Sequence, residues 1–258
     1  MKNVFKNAFK NYLKEEYIYK KNQKLSVNFE FFETISRNYS QVFQDIFVLM
    51  MLNGKRNGSY VEVGSSDPIR INNTYLLENK FDWIGLSYEI DLDMSNKFNS
   101  KRVNKSLCVD ATKADFEKDF AKYKLPHLID YLQIDIEPVE NSYKCLKQIP
   151  FEKYKFNIIT FETEHYLKGD EYEKKVENFL VEKGYKLVCS RIGRLGNYYE
   201  DWYINTALFE IFKENFQVEK YFEEDPKNII YESFKRNYIY SIFNILKYVL
   251  QPRRDIYS

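Results

Sequence analysis

The stretch that most constrains the fold is a short apolar strand that ends in a glycine-containing turn. Residues 59–68 read Ser-Tyr-Val-Glu-Val-Gly-Ser-Ser-Asp-Pro. The β-branched and aromatic residues Tyr60, Val61 and Val63 predict a buried strand, and the residues that follow are turn formers. A helix is expected to start near residues 72–74, Asn-Asn-Thr, whose side chains can cap free amides. Together these features predict a loop where a ligand reaches the backbone closely.

The charge of this loop favours a cationic ligand over a pyrophosphate. A dinucleotide fingerprint needs three glycines, whereas this loop has only Gly64, with the acids Glu62 and Asp67 on either side. Carboxylates repel a pyrophosphate but attract a ligand that carries an amino group and a sulfonium. The residues therefore favour S-adenosylmethionine over NAD. An ordinary strand-to-turn junction without a ligand is equally compatible with this stretch alone.

Apolar strands and helical segments alternate through the middle of the chain. We predict strands at 59–64, 83–90, 106–110, 131–136, 156–162, 186–191 and 202–209, and helices near 40–53, 72–80, 93–100, 113–122, 140–148 and 168–183. Ser40 is the predicted N-cap of the first helix. The alternation indicates an α/β fold, a mostly parallel sheet with helices on both faces. No helix separates the last two strands, so they are expected to form an antiparallel hairpin at one edge.

A set of short motifs runs in order from residue 40 to about residue 205. They are Ser40-Gln41 with Gln44-Asp45, the segment 60–64, Asp67-Pro68, the segment 72–78, the segment 83–85, the segment 135–138, the segment 149–151, Ile159-Thr160, Glu164-His165 and the segment 200–202. In this order they resemble the FkbM family of S-adenosylmethionine-dependent methyltransferases. Family members often read Glu-His-Asp where this chain has Glu164-His165-Tyr166.

The resemblance implies a fold, a reaction and an acceptor. The implied fold is the Rossmann-like class I methyltransferase fold, with a seven-stranded, mostly parallel sheet and helices on both faces. The implied reaction is O-methylation of a sugar hydroxyl on a glycan or a glycosylated small molecule. An NAD(P)-binding oxidoreductase is a rival that the missing glycines oppose. A non-catalytic module that binds a membrane surface or a partner is a second rival.

We expect one methyltransferase domain at 40–210 between two extensions. Residues 1–39 are predicted to form a basic amphipathic N-terminal extension, since residues 2–24 hold seven lysines and two glutamates with an apolar stripe. Residues 211–258 are predicted to form a helical C-terminal extension, in which the apolar segment 238–250 is too short to span a bilayer. Each extension is expected to cover the domain's own core or to lie on a membrane. The N-terminal extension is also a candidate for packing on a partner, and the C-terminal one is a candidate homodimer contact.

The composition limits the expected cellular location and the expected binding partners. The 39 basic and 38 acidic residues nearly cancel, so nucleic acid is not an expected partner. The cysteines Cys108, Cys145 and Cys189 lack metal-binding spacing, and reduced, buried thiols are expected for two of them. The N-terminus shows no apolar signal-peptide segment, so the expected location is the cytoplasm, or the inner face of a membrane if the extensions bind it.

Acidic residues stand at nearly every carboxyl end of the predicted strands, the edge where open α/β sheets bind ligands. Glu89 ends the second strand, 25 residues after Gly64, which suits hydrogen bonds from ribose hydroxyls, and Asp91 is its competitor. Asp110 ends the third strand, near the expected adenine amino group. Each acid alone reads as a helix cap or a loop end. The whole predicted cofactor set is Glu62, Gly64, Ser66, Asp67, Asn73, Glu89, Asp110 and Asp135.

His165 is the predicted general base that removes the proton from the acceptor hydroxyl. It follows the fifth strand, whereas the other histidine, His127, precedes the fourth strand on the opposite edge. Glu162 or Glu164 is expected to orient the imidazole and raise its pKa. The catalytic set is thus His165, Asp135 and Glu164. A loop histidine that caps the next helix is the structural alternative.

A divalent metal is a further option at the same edge. Asp135, Glu137 and Glu164 offer oxygen ligands, which magnesium and manganese prefer, although no spacing demands a metal.

Overall fold

A seven-stranded sheet runs through residues 29–210, the part of the chain that the structure describes, apart from 32, 33, 36, 195 and 196. In this computed structural model the strands are β1 Ser59–Val63, β2 Ile84–Glu89, β3 Lys105–Cys108, β4 Leu128–Ile134, β5 Lys155–Glu162, β6 Tyr185–Arg194 and β7 Asn197–Asn205. Their order across the sheet is β3-β2-β1-β4-β5-β7-β6. β7 is antiparallel to β5 and β6, and the other neighbours are parallel. The predicted class I methyltransferase fold and its terminal hairpin are confirmed.

Seven helices that precede the last strand pack around the described sheet, and a further helical run begins at residue 206. They are α1 Gln44–Met51, α2 Tyr75–Phe81, α3 Leu92–Lys101, α4 Phe116–Lys122, α5 Val139–Gln148, α6 His165–Lys168 and α7 Asp170–Glu182. α1 and α2 share one apolar cluster with Tyr60 and Trp202, whereas α4, α5 and α7 share the other with Val61 and Val63. Alternate residues of β1 thus enter opposite cores, as the period of a strand requires.

The position of β1 fixes where a ligand can bind. β1 pairs with β2 on one side and with β4 on the other, so the connections leave the two sides of β1 in opposite directions. At such a switch point the helices diverge and leave a crevice beyond the carboxyl ends of the strands. All five residues of β1 are buried, including Glu62. The strand therefore carries a buried carboxylate directly to the edge of that crevice.

The predicted first helix was too long, and Ser40 is not its N-cap. α1 begins at Gln44, and Phe43 precedes it in the left-handed region at φ 70° without a side-chain cap. Ser40 Oγ instead donates to Asp45 Oδ1 at 2.6 Å, and the other Asp45 oxygen accepts from the Tyr39 amide at 2.7 Å. Because the Asp45 carboxylate draws these groups into a turn, residues 40–43 are held outside the helix.

Other boundaries also differ from prediction. β4 runs over Leu128–Ile134 and not 131–136, and β7 over Asn197–Asn205 and not 202–209. The predicted helix at 168–183 is divided at Gly169, where φ is 60° and the backbone leaves the helical region. β6 extends past the predicted residue 191 because the hairpin ladder continues through several bulges.

Several smaller expectations concern burial and the chain ends. Cys145 and Cys189 are buried and free, as predicted for two of the cysteines, and Cys108 is exposed and also free. No helix within the described residues is long and apolar enough to cross a membrane. The predicted amphipathic segment at 2–24 and the apolar segment at 238–250 lie outside the described residues.

A buried guanidinium ties the turn after β1 to the rest of the domain. Arg102, at the end of α3, pairs with Glu78 of α2, with Nη2 2.7 Å from Oε2 and side-chain exposures of 1% and 8%. Its Nη1 also donates to the carbonyl oxygen of Pro68 at 2.9 Å and to Asn72 Oδ1 at 3.2 Å. Burial raises the pKa of Glu78, but the hydrogen bond and the charge of Arg102 outweigh it, so the pKa lies below its usual range. Glu78 therefore stays ionised and paired with Arg102 inside the fold.

Replacing Arg102 tests how much this ion pair contributes to the free energy of unfolding. Arg102→Met leaves the Glu78 carboxylate buried without its cation, and we expect a loss of about 3–5 kcal/mol in the free energy of unfolding. The control is Arg56→Met, which removes an exposed pair with Asp82 at 2.9 Å and should cost less than about 1 kcal/mol. Urea titration measures both, and equal losses in the two variants would contradict a structural role for Arg102.

Candidate active site

A cavity of about 660 Å³ opens at the carboxyl ends of β1, β2 and β4, within the usual volume range of small-molecule sites. All eight residues of the predicted cofactor set line it: Glu62, Gly64, Ser66, Asp67, Asn73, Glu89, Asp110 and Asp135. The structure thus brings together residues that lie up to 73 positions apart in the sequence, from Glu62 to Asp135.

The turn after β1 is shaped by a contact that only glycine permits. Gly64 has a φ of 90°, and a Cβ atom there would lie 1.9 Å from the carbonyl oxygen of Asp135. The Asp135 amide in turn donates to the Val63 carbonyl oxygen at 2.9 Å. β1 and β4 therefore converge at their ends, and the cavity floor is bare backbone.

Glu62 anchors the loop above this floor. Its Oε1 accepts from Asn72 Nδ2 at 3.2 Å and from Thr74 Oγ1 at 3.1 Å, and its Oε2 accepts from Ser87 Oγ at 2.7 Å. Burial raises the pKa of Glu62 to about 7, against the opposing effects of Arg102 and the hydroxyl donors. Asn72 also caps α2, because its Oδ1 accepts from the amides of Thr74 and Tyr75 at 3.0 and 2.8 Å. Glu62 thus positions the loop as well as lining the cavity.

Glu89 is held at the end of β2 by backbone donors on both sides. Its Oε2 accepts from the Ser66 amide at 2.7 Å and its Oε1 from the Asp91 amide at 2.9 Å. Each oxygen keeps a lone pair for a ligand hydroxyl. The competitor, Asp91, caps α3 through the Met94 amide at 2.8 Å. The geometry therefore favours Glu89 for binding a diol and gives Asp91 a structural task.

Two other predicted acids are already engaged within the chain. Asp67 Oδ1 accepts from the amides of Ile69 and Arg70, and its Oδ2 lies 2.6 Å from Lys97 Nζ. Asp110 caps a 3₁₀ turn at Ala111–Lys113, and hydrogen bonds from Lys113 and Thr112 lower its pKa to about 2. Both carboxylates stay charged at the cavity wall while they shape its loops.

Gln133 is a cavity residue that the sequence reasoning missed. It lies in β4, its side chain is 2% exposed, and its Oε1 atom is buried without a hydrogen-bond partner among the described residues. A buried acceptor without a donor costs free energy unless a ligand or water supplies one. The only available signal in the sequence was one amide inside an apolar strand, two residues before Asp135.

A group of acids follows the ends of β4 and β5. Asp135 and Glu137 line the cavity, whereas Glu162, Glu164 and Glu200 lie beside it in the sheet edge. Burial raises the pKa of Glu162 to about 11, together with a hydrogen bond to Asp135 and the charges of Asp135, Glu200 and Glu164. Burial and Asp135 likewise raise the pKa of Glu200 to about 8. The protonated forms of Glu162 and Glu200 are therefore favoured at neutral pH.

His165 does not stand where the prediction needs it. It begins α6 and is not among the residues that line the cavity. The expected orienting partners, Glu162 and Glu164, are wrong: Nδ1 lies 3.3 Å from Glu173 Oε2 and 3.5 Å from Asp170 Oδ1. Glu164 takes a left-handed conformation, with φ 45°, so the chain turns the following residue towards α7. His127 directly precedes β4 at the opposite edge, as predicted, and its ring Nδ1 lies 3.0 Å from the Lys153 carbonyl oxygen.

The optional metal site is not assembled as predicted. Among the described residues, the group whose candidate ligand atoms all lie within 4.8 Å of one another is His165, Asp170 and Glu173. Asp135, Glu137 and Glu164 do not form such a group. Arg191 already bridges the two acids of the observed group, with Nη2 3.0 Å from Asp170 Oδ1 and 3.1 Å from Glu173 Oε2. Its guanidinium neutralises them without a metal.

The lining fits S-adenosylmethionine and does not fit a dinucleotide. Seven acids and one basic residue, Arg70, line the cavity, so a pyrophosphate would be repelled. An ammonium or sulfonium group would find the side chain of Asp135 and Gln133 Oε1, which has no hydrogen-bond partner in the described part of the chain. Glu89 offers acceptors for a ribose. The side chains near Asp110 are apolar and suit a flat base: Ile90, Met94, Val109 and Ala111.

Comparisons with known proteins give structural similarity only. No family model matches the sequence, and a search of curated proteins finds no relative. Similar solved structures include the METTL16 methyltransferase domain, with TM-score 0.46, 13% identity and coverage of 70% of this chain and 73% of that one. A putative rRNA methylase from Clostridium thermocellum has TM-score 0.45, 13% identity and coverage of 66% and 99%. Magnesium protoporphyrin IX methyltransferase from Synechocystis has TM-score 0.42, 12% identity and coverage of 63% and 77%. Because these TM-scores and identities are low, the argument for a function rests on the chain's own topology and cavity.

The diol-binding assignment of Glu89 can be tested against Asp91. Glu89→Ala removes both ribose acceptors, and we expect affinity for S-adenosylmethionine to fall about tenfold to a hundredfold, as for lost hydrogen bonds to a charged group. Asp91→Ala should instead lower stability by about 1 kcal/mol through the lost helix cap and leave affinity nearly unchanged. Calorimetric titration measures both affinities, and the opposite ranking would assign the diol to Asp91.

Proposed function

We propose that this chain is an S-adenosylmethionine-dependent methyltransferase. The observation that carries the proposal is the acid-lined cavity at the switch point, in which the buried Oε1 atom of Gln133 has no hydrogen-bond partner among the described residues. Its wall is matched to a ligand that is cationic at one end and flat and apolar at the other. The strand order, with β7 antiparallel between β5 and β6, supports the same proposal.

The chain's residues would hold the cofactor at three points. Glu89 would accept from the ribose hydroxyls, Gln133 Oε1 from the ammonium group, and the apolar side chains near Asp110 would cover the base. When bound, the cofactor supplies an activated methyl group on a sulfonium. Since such a transfer is an in-line displacement, the protein's main contribution is to position the acceptor opposite that methyl group.

We further propose a FkbM-type enzyme whose acceptor is a sugar hydroxyl. The ordered motifs of the sequence support the family, and an exposed aromatic ring among carboxyl groups supports the acceptor. Tyr166 is 48% exposed, and its phenol pKa is raised by partial burial and by Glu162, Glu164, Glu137 and Asp135, of which Glu137 and Asp135 line the cavity. An exposed ring beside carboxylates suits a sugar, which stacks its C–H face and donates its hydroxyls.

Asp135 is a better candidate than His165 for the group that receives the acceptor's proton. Asp135 lines the cavity, whereas His165 contacts α7. A general base must lie within hydrogen-bond reach of the proton that it removes.

Two titrations test the proposal at the level of the whole chain. We expect S-adenosylmethionine to bind in the micromolar range or tighter and NADH not to bind, because a pyrophosphate meets the acidic wall. A panel of glycosides with methyl-labelled cofactor should then yield labelled methyl ethers. Binding of neither ligand would leave a non-catalytic module, and binding of NADH alone would favour an oxidoreductase.

The role of His165 is tested by replacement. If Asp135 is the base, His165→Ala should bind S-adenosylmethionine normally and lose less than about tenfold in turnover. A fall of a hundredfold or more, the usual range for a lost general base, would return that role to His165. The control is His127→Ala, at the opposite edge of the sheet.

Association with a membrane or a second copy of the chain is a separate candidate function. It depends on segments 2–24 and 238–250, and no feature of the described residues favours it.

A further inference from the structure

We propose that Arg70 binds the carboxylate of S-adenosylmethionine and thereby selects this donor over its decarboxylated form. The inference rests on the proposed methyltransferase function and adds a fourth contact to the three that hold the cofactor. S-adenosylmethionine carries two cationic groups and one carboxylate, and an acidic wall accounts only for the cationic groups. Arg70 is the single basic residue among the described residues that line the cavity.

A carboxylate inside this cavity needs a cation beside it. Seven acidic side chains line the same space, and each one that is ionised repels a further negative charge. A guanidinium neutralises a carboxylate and donates two parallel hydrogen bonds to its oxygens. The charge distribution of the wall therefore directs the carboxylate of the ligand to the side where Arg70 lies.

The other cations around this wall are paired with acids of the chain, and none of them lines the cavity. They are Lys97, 2.6 Å from Asp67, Lys113, 2.9 Å from Asp110, and Arg102, 2.7 Å from Glu78. These cations stabilise the loops from behind the wall. The cation for the ligand therefore comes from Arg70.

Arg70 lies at the end of the cavity that the ammonium group would occupy. Gln133 pairs in register with Glu62, and Glu62 Oε1 accepts from Asn72 Nδ2 at 3.2 Å. Asn72 follows Arg70 by two residues in the same loop. In S-adenosylmethionine the ammonium and the carboxylate are bonded to one carbon, so their two partners must lie at the same end of the site. The contacts that run from Gln133 to Asn72 place Arg70 at that end.

The loop that carries Arg70 is held in one conformation by its own hydrogen bonds. Asp67 Oδ1 accepts from the Arg70 amide at 2.8 Å, and Asn72 Nδ2 donates to the Ser65 carbonyl oxygen at 3.2 Å. Ile71 has a φ of 51°, a left-handed conformation that β-branched residues rarely adopt. Such strain persists only where the surrounding contacts enforce it. The backbone of Arg70 is therefore fixed at the cavity wall before a ligand binds.

Two ligands separate this contact from a general loss of binding. Decarboxylated S-adenosylmethionine keeps the amino group, the sulfonium and the adenosine and lacks only the carboxylate. We expect the natural chain to bind S-adenosylmethionine about tenfold to a hundredfold more tightly than this analogue, as for hydrogen bonds to a charged group. In Arg70→Met, affinity for S-adenosylmethionine should fall by that factor, while affinity for the analogue stays the same or rises. Calorimetric titration measures all four affinities without an acceptor or turnover.

Two further variants test the chemistry of the contact. Arg70→Lys keeps the positive charge but loses the planar fork, so its affinity for S-adenosylmethionine should lie between those of the natural chain and Arg70→Met. An affinity no higher than that of Arg70→Met would contradict the ion pair. The matched control is Arg56→Met, which removes the same group from an exposed pair with Asp82 and should keep the natural preference between the two ligands. The unfolding midpoint of each variant is measured alongside.

The outcomes distinguish this inference from the proposed function. If the natural chain binds neither ligand, the proposed function fails and the inference fails with it. If the natural chain binds S-adenosylmethionine but does not prefer it to the analogue, the inference alone is overturned, and that comparison needs no variant. Unchanged affinities in Arg70→Met, or equal falls for both ligands, also overturn it, since Arg70 would then have no contact with the carboxylate. A loss confined to S-adenosylmethionine in Arg70→Met, with Arg56→Met unchanged, supports it.

Discussion

A single buried guanidinium, that of Arg102, holds the pieces that frame the cavity. It joins Glu78 of α2 to the carbonyl oxygen of Pro68 and to Asn72, which caps α2 and also donates to Glu62. The loop after β1 is therefore fixed by contacts with two helices, and a ligand would meet a preformed wall. Because these donors and acceptors are already in place, ligand binding loses less conformational entropy than it would if the loop had to become ordered.

The second constraint is electrostatic. The domain concentrates carboxyl groups at one edge of its sheet, and burial there keeps several of them neutral at or near pH 7: Glu62, Glu162 and Glu200. Charges remain on the groups that backbone amides and lysines stabilise, such as Asp67 and Asp110. This arrangement limits repulsion inside the fold while the wall stays negative overall. A cationic ligand is thus selected without a large cost in stability.

The sequence was informative where a local pattern decides the structure. The run around Tyr60, Gly64 and Asn72 predicted a strand, a glycine turn and a capped helix, and the alternation of elements predicted the order of layers. The acids at strand ends could be grouped because parallel strands end at one edge. These features depend on neighbours within a few residues.

The parts that sequence reasoning missed depend on contacts between distant segments. Arg102 and Glu78 are 24 residues apart on two different helices, and charged residues of helices are usually solvated, so nothing local marked them as a buried pair. Gln133 looked like one polar residue in a strand, and its missing partner appears only in three dimensions. His165 was predicted to face the acceptor because it follows β5, but the left-handed turn at Glu164 directs it towards α7.

The most direct test of the account is a crystal structure of the chain with S-adenosylhomocysteine. The account predicts the ligand in the cavity beyond β1, with the ribose hydroxyls within hydrogen-bond distance of Glu89 and the amino group within that distance of Gln133 Oε1. The sulfur should point along β4 towards Asp135. A ligand bound elsewhere on the chain, or in this cavity with its ribose away from Glu89 and its amino group away from Gln133, would contradict it.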